Sequence, residues 1–274
     1  MAKPGAGWPG DLADPSTPVA TDALAVARLA RTASALEPLT AMISVCRACP
    51  RLVEWRERVA ADKRASFRDE PYWGRPIPGW GADRPAIAIV GLAPAAHGGN
   101  RTGRVFTGDR SGDWLFAALY RGGLATLPTS ERADDGQELI DVRMFAAVRC
   151  APPANSPTPQ ERDTCRPWMQ RELALLRPRL RVIVVLGGFA WGALWPVLRD
   201  LGYAVPRPAR RFGHRAEVEL DGLLVLGCYH PSQQNTFTGR LTEPMLDAVI
   251  ERAKAWAVTH RESDAERGST PGGR

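Results

Sequence analysis

Residues 86–109 read AIAIVGLAPAAHGGNRTGRVFTGD, and the way this stretch divides decides the fold. Its first five residues are an unbroken apolar run of one strand's length, as expected for a strand covered on both faces. The rest holds five glycines, His97, two arginines and a lone aromatic, Phe106. A strand that opens into such a loop presents backbone N–H groups to something negative or planar.

Three further runs of strand type follow, at 142–148 (VRMFAAV), 181–186 (RVIVVL) and 223–228 (LLVLGC). Helical patterns separate most of them. One begins at Ser111, with Trp114, Leu115, Ala118 and Leu119 on a single face. The next begins at Thr158, with Pro159 in first position and Glu161 behind it, and runs to about 176. A third covers 189–201, and the last, 243 to about 258, carries Met245, Leu246, Val249, Ile250, Ala253 and Trp256 at helical spacing. Upstream, 22–39 reads as one helix.

Strands alternating with helices predict a mostly parallel, four-stranded sheet covered on both faces, with ligands where strands end and loops begin. Two loops leave there, 91–109 and 229–242 (YHPSQQNTFTGRLT). A single domain over 22–260 is expected. Residues 1–21 and 261–274, rich in Pro, Gly and polar residues without periodicity, read as mobile tails.

The chain is basic, with 36 Lys+Arg against 30 Asp+Glu, which suits an anionic partner such as nucleic acid. Only Lys3, Lys63 and Lys254 are lysines, so Arg-rich composition alone accounts for much of the charge. No apolar run reaches membrane-spanning length and no secretory leader is visible, so a cytoplasmic, nucleoid-associated monomer is expected.

Among the five cysteines, Cys46 and Cys49 form a tight pair and Cys150 and Cys165 a loose one. Four thiolates in that pattern suit a tetrahedral zinc or a four-iron cluster, with buried free thiols as the plainer alternative. Cys228 lies in a strand and reads as core. His230, just past the strand at 223–228, points from the sheet edge into the cleft, where it could donate to charge developing on a leaving group. Phe106 is a natural platform for a flat base, or else a packed loop residue. His214 and His260 read as surface residues. The loop 91–109 matches neither a P-loop nor a dinucleotide fingerprint, so nucleoside triphosphates and dinucleotides lose support.

GLAPAAHGGNRTGRVFTGDRSG and HPSQQNTFTGRLT together closely resemble the family 5 (type B) uracil-DNA glycosylases of the uracil-DNA glycosylase superfamily. CRACP, AVRCAPPANSPTPQER and FGHRAEV fit the same family. The resemblance covers about 40–258. It implies a three-layer α/β/α sandwich, with Cys46, Cys49, Cys150 and Cys165 on a [4Fe-4S] cluster. It also implies a monofunctional glycosylase acting on double- or single-stranded DNA that contains uracil or other deaminated bases. Gly91, Leu92, Ala93, Phe106 and Ala146 would hold the flipped base, with Phe106 stacking on it and His230 facing a carbonyl oxygen. Ser232 and Asn235 in the loop 232–240 would fill the gap, and Arg101, Arg104 and Arg240 would meet phosphates.

Two positions depart from the family's pattern. Relatives commonly place a polar or acidic residue just after the first loop glycine, where this chain has Leu92 and Ala93. Many carry Asn four residues before the third cysteine, where this chain has Ala146. Asn100 is then the nearest polar candidate to position water, with Asp109 a second choice. A non-catalytic iron-sulfur DNA-binding protein and a hydrolase of free nucleosides are the alternatives.

Overall fold

Six strands form the central sheet of this computed structural model, which describes residues 1–268. They are β1 (Trp80–Gly81), β2 (Ile87–Gly91), β3 (Val142–Ala146), β4 (Val182–Leu186), β5 (Glu217–Leu220) and β6 (Leu223–Cys228), in the order β1-β3-β2-β4-β6-β5. The four central strands are parallel and are the four expected runs. The sheet is nevertheless six-stranded, because β1 and β5 add short antiparallel edges. β1 is two residues long and too short to show a period. β5 alternates buried Val218 and Leu220 with outward glutamates, and turns into β6 through Asp221-Gly222, both at positive φ (50° and 82°). That dipeptide is a hairpin signal in its own right.

Alternation along the strands builds two cores. Ile87, Ile89, Val182, Val184, Leu224, Leu226 and Cys228 face one side, and Ala88, Val90, Ile183, Val185, Leu223 and Val225 the other. The helices in chain order are α1 (Ala23–Thr32), α2 (Leu36–Ser44), α3 (Pro50–Asp62), α4 (Gly99–Thr102), α5 (Arg110–Arg121), α6 (Pro159–Leu176), α7 (Gly188–Asp200), α8 (Gln233–Phe237) and α9 (Glu243–Gly268). α5 and α9 cover the first face, α6 and α7 the second. α1 and α2 lie outside α6, sharing a smaller core with Cys165 and Trp168. The result is a three-layer α/β/α sandwich. None of the described helices is long and apolar enough to cross a membrane.

The single helix expected over 22–39 is two. Asp22 caps α1 by accepting from the Ala25 amide at 2.7 Å, and the chain turns extended at Ala33 and Ala35 before α2. Pro38 explains the break: inside a continuous helix it would remove a backbone donor, whereas in the first turn of α2 that donor is not needed. At α6 the expected start holds, as Thr158 and Glu161 close a reciprocal capping box.

The N-terminal stretch is not a mobile tail. The Ala2 amide donates to Trp73 O at 3.1 Å, and Trp8 Nε1 donates to Thr102 O at 3.1 Å. Arg75, 4% exposed, pairs with the buried Asp11 carboxylate at 2.6 Å and donates to Ser44 O at 3.0 Å. A strap held by isolated anchors shows no periodicity, which is why its sequence reads as a tail. At the other end α9 continues to Gly268, replacing the start of the expected tail, and 269–274 lie outside the described residues.

Removing one member of a buried ion pair leaves the other uncompensated. Asp11→Ala should therefore lower unfolding free energy by about 3 kcal/mol, read as a fall in the urea midpoint at unchanged slope. An unchanged midpoint would show that the pair does not hold the strap.

Candidate active site at the strand ends

The loop after β2 and the loop after β6 meet through two rings. Phe106 and His230 have centroids 6.2 Å apart and are tilted by 38°. Phe106 sits at φ 53°, a conformation bulky residues seldom adopt, and glycines make room for it. A Cβ on Gly91 would come within 2.6 Å of the Phe106 ring, and one on Gly112 within 1.9 Å of the Phe106 carbonyl. Gly91 pairs with Ala146 across the β2–β3 ladder, and Val148 N donates to Leu92 O at 3.0 Å. The structure thus brings Gly91, Leu92, Phe106, Ala146 and His230 to one end of the sheet.

The rest of the loop is framed from within by its own polar residues. Arg104 donates to Thr107 Oγ1 (3.0 Å), Ser130 Oγ (2.7 Å) and Asp135 (2.6 Å), and lies over the Trp80 ring. Arg101 donates to His97 O at 2.9 Å and Gly108 O at 3.1 Å, pairs with Glu70, and lies over Phe67. Both are buried, so neither is free to meet a phosphate as expected. Asn100 is likewise buried, its Nδ2 donating to Arg56 O at 3.1 Å and bracing the loop on α3, while its Oδ1 has no partner among the described residues. Asp109 caps α5 by accepting from Gly112 N at 3.0 Å, and burial raises its carboxyl above the usual range.

His230 stands apart. Burial pushes its imidazole down to about 4, so at neutral pH it is uncharged, and neither ring nitrogen bonds to another described residue. Its carbonyl accepts from Asn235 Nδ2 at 2.8 Å, while Ser232 caps α8. These two residues therefore hold the histidine's segment in place. Arg240 is exposed, with its guanidinium 4.6 Å from the Tyr229 ring centroid. His214 is no surface residue: it stacks on Tyr229 at 5.1 Å, accepts from the Tyr229 amide at 3.3 Å, and desolvation lowers its pKa. Phe237, at the end of α8, is 70% exposed. Sequence reading passed over it, although an aromatic between two threonines in a polar loop is itself a signal.

Cys46, Cys49, Cys150 and Cys165 line a single pocket together with Leu52, Val148 and Trp168. No group of three or more His, Cys, Asp or Glu among the described residues is gathered as a single metal ion would need. Burial raises the Cys46 and Cys165 thiols and pushes Cys49 up to about 12, and neighbouring sulfurs add to each shift. This donor set, enclosing a cavity, fits a multi-atom centre bound through thiolates. Cys228 is fully buried in the first core, as expected.

Comparison with known proteins agrees with this arrangement. A family model described as the uracil DNA glycosylase superfamily matches residues 78–254. The chain is 59% identical over 256 residues to the type-5 uracil-DNA glycosylase of Mycobacterium tuberculosis, covering 93% of this chain and 94% of that one. It is 49% identical over 222 residues to the type-5 enzyme of Thermus thermophilus, covering 81% and 98%. To the type-4 enzyme of Archaeoglobus fulgidus it is 32% identical over 159 residues, covering 57% and 70%.

The depressed His230 value has a measurable consequence. The unfolded chain takes up the proton near its ordinary value, about 6.5, whereas the folded chain resists it until about 4. Stability is therefore full above the higher value and lost as pH falls through this window. Urea midpoints of the protein and of His230→Gln should converge as pH falls from 7 to 4. Parallel curves would mean that His230 protonates freely in the folded state.

Proposed function

The chain belongs to the uracil-DNA glycosylase superfamily and is a DNA glycosylase, and we propose that it flips uracil out of DNA and hydrolyses its N-glycosidic bond, leaving an abasic site. The observation that carries this reading is the unpartnered, neutral His230 facing Phe106 across the ends of β6 and β2. Breaking the bond puts negative charge on the departing base. A fixed neutral donor stabilises that charge without first having to lose water of its own. Phe106 supplies a stacking face, and Gly91 lets the ring lie where a base can slide against it.

With Asn100 and Asp109 engaged in holding the loop, no side chain of 91–109 is assigned to polarise water, and leaving-group stabilisation is the dominant contribution. A lyase step would need an amine nucleophile. Of the three lysines, Lys63 donates to Arg68 O, Lys254 to Gly122 O, and Lys3 is exposed in the N-terminal strap; none is buried at the strand ends, which favours a monofunctional enzyme. Ala146 beside Gly91 offers no amide to read the base edge. A site without such a partner rejects altered bases weakly, so hypoxanthine and other deaminated bases fit the same pocket.

In duplex DNA the base must first leave the stack, at a cost of a few kcal/mol. Phe237 at the end of α8 is placed to occupy the gap, and Arg240 to meet a phosphate. The four thiols of Cys46, Cys49, Cys150 and Cys165 are read as the ligands of a [4Fe-4S] cluster, which when bound ties residues 46–49 to 150–165 and takes no part in bond cleavage.

Incubation with a uracil-containing oligonucleotide should produce alkali-labile sites, whereas free deoxyuridine should not be cleaved; the reverse pattern would make the protein a nucleoside hydrolase. His230→Ala should slow the chemical step by about 10²–10³, with binding weakened far less. An unchanged single-turnover rate would remove His230 from the mechanism. Phe237→Ala should cost more on duplex than on single-stranded substrate, which has little stacking to replace. Equal losses on both would refute the wedge.

A further inference from the structure

Two buried arginines stand against the thiols: Arg149 lines their pocket, and Arg56 reaches Cys150 from outside the lining. Arg56, 1% exposed, donates through Nη1 to Cys150 Sγ at 3.1 Å. Its Nη2 lies 3.8 Å from the partly exposed Glu57, and its Nε is buried with no partner among the described residues. Arg149, also 1% exposed, donates its amide to Cys165 Sγ at 3.4 Å and its Nη2 to Glu172 at 2.6 Å. Its Nε and Nη1 have no partner among the described residues. Glu172 is shared with Arg143, at 2.7 Å, whose other acidic neighbour, Asp83, is exposed and 3.8 Å away.

The buried charges do not cancel. Glu172 is the buried carboxylate that Arg143 and Arg149 share, and the only acidic group near the Arg56 guanidinium among the described residues is the partly exposed Glu57. A guanidinium does not shed its proton, and burying it uncompensated costs several kcal/mol. Neutral thiols offer no compensation. Thiolate ligands would supply that compensation.

Arg56 also reaches the reaction site. Its carbonyl is the acceptor for Asn100 Nδ2, at 3.1 Å, and Asn100 is buried in α4, within the loop that carries Phe106. One residue thus touches the pocket with its side chain and the base-holding loop with its backbone.

We propose that Arg56 and Arg149 are the counter-cations of the thiol centre, and that Arg56 is a positioning residue that ties the base-holding loop to it. The proposal rests on reading the four cysteines as ligands. Binding a centre through the four sulfurs releases the thiol protons to solvent, a transfer in which the arginines take no part.

The test compares full-length protein with Arg56→Met and Arg56→Lys, all prepared without air. Iron per chain and the decay of visible absorbance under a chelator are measured for each. Arg56→Met should release iron about 10-fold faster, the order expected for an outer partner of a metal ligand. Arg56→Lys should fall between, because it keeps the charge and loses the fork. Loaded Arg56→Met should also show a slower single-turnover rate on uracil DNA without a matching loss of DNA binding. Equal lifetimes in Arg56→Met and the unaltered protein would overturn the proposal. Should Arg56→Met not fold, Arg56→Lys decides on the same readouts, a lifetime equal to that of the unaltered protein again overturning it. Zinc in place of iron in the unaltered protein would sink the cluster but not the counter-cations, whose loss would still speed chelation. An absence of any bound metal would overturn both.

Discussion

A Cβ on Gly91 would sit 2.6 Å from the ring of Phe106, and that missing atom sets the geometry of the whole strand-end region. Because the ring can lie directly on the backbone at the end of β2, the loop 91–109 folds back over the sheet and closes toward β6, where His230 emerges. The contact is possible only with Phe106 at positive φ, and Gly112 at the start of α5 accommodates the carbonyl that this conformation swings toward it. Strain in a loop persists when its surroundings over-determine it. Here the surroundings are Arg101 and Arg104, each spending several donors on loop carbonyls and hydroxyls, and Asp109 capping the helix that follows.

This use of arginine changes what the net charge of +6 means. Arg56, Arg75, Arg101, Arg104, Arg143 and Arg149 are all buried, so six of the chain's 36 basic side chains serve as internal framework. Guanidinium suits that task better than ammonium, because a planar fork with five donors can satisfy several acceptors in one orientation. The near-absence of lysine is consistent with an interior organised by such forks as well as with composition. Attraction of a polyanion then rests on the remaining basic side chains, among which the exposed Arg240 follows His230 in the same loop.

The central sheet was legible because its four parallel strands are continuous apolar runs buried on both faces, a signal independent of neighbours. The edges were not, since a two-residue strand carries no period, although the Asp221-Gly222 turn after β5 was readable as a hairpin. Phe106 and His230 are brought together at the strand ends as their loops implied, and Phe106 is at the same time a packed member of the first core. The residues around them were assigned by type rather than by partner: Asn100, Arg101 and Arg104 look like ligands for water and phosphate, but long-range bonds to Arg56 O, Glu70 and Asp135 absorb them. No local pattern announces partners 31 to 44 residues away. Phe237 was passed over and His214 was read as a surface residue for the converse reason, that no periodic pattern surrounds either.

The strap of the first residues has a temporal side. Trp8 finds its acceptor on Thr102, 94 positions later, and Asp11 its guanidinium on Arg75, 64 positions later. Contacts of such separation can form only after the intervening chain has been laid down and its closure entropy met. A segment made well before its partners is thus among the last to dock, and it docks on the loop that carries Phe106. Until the order of synthesis catches up with the order of contacts, the newborn chain has its apolar anchors at Trp8 and Trp73 uncovered, and the loop between them lacks its outer brace.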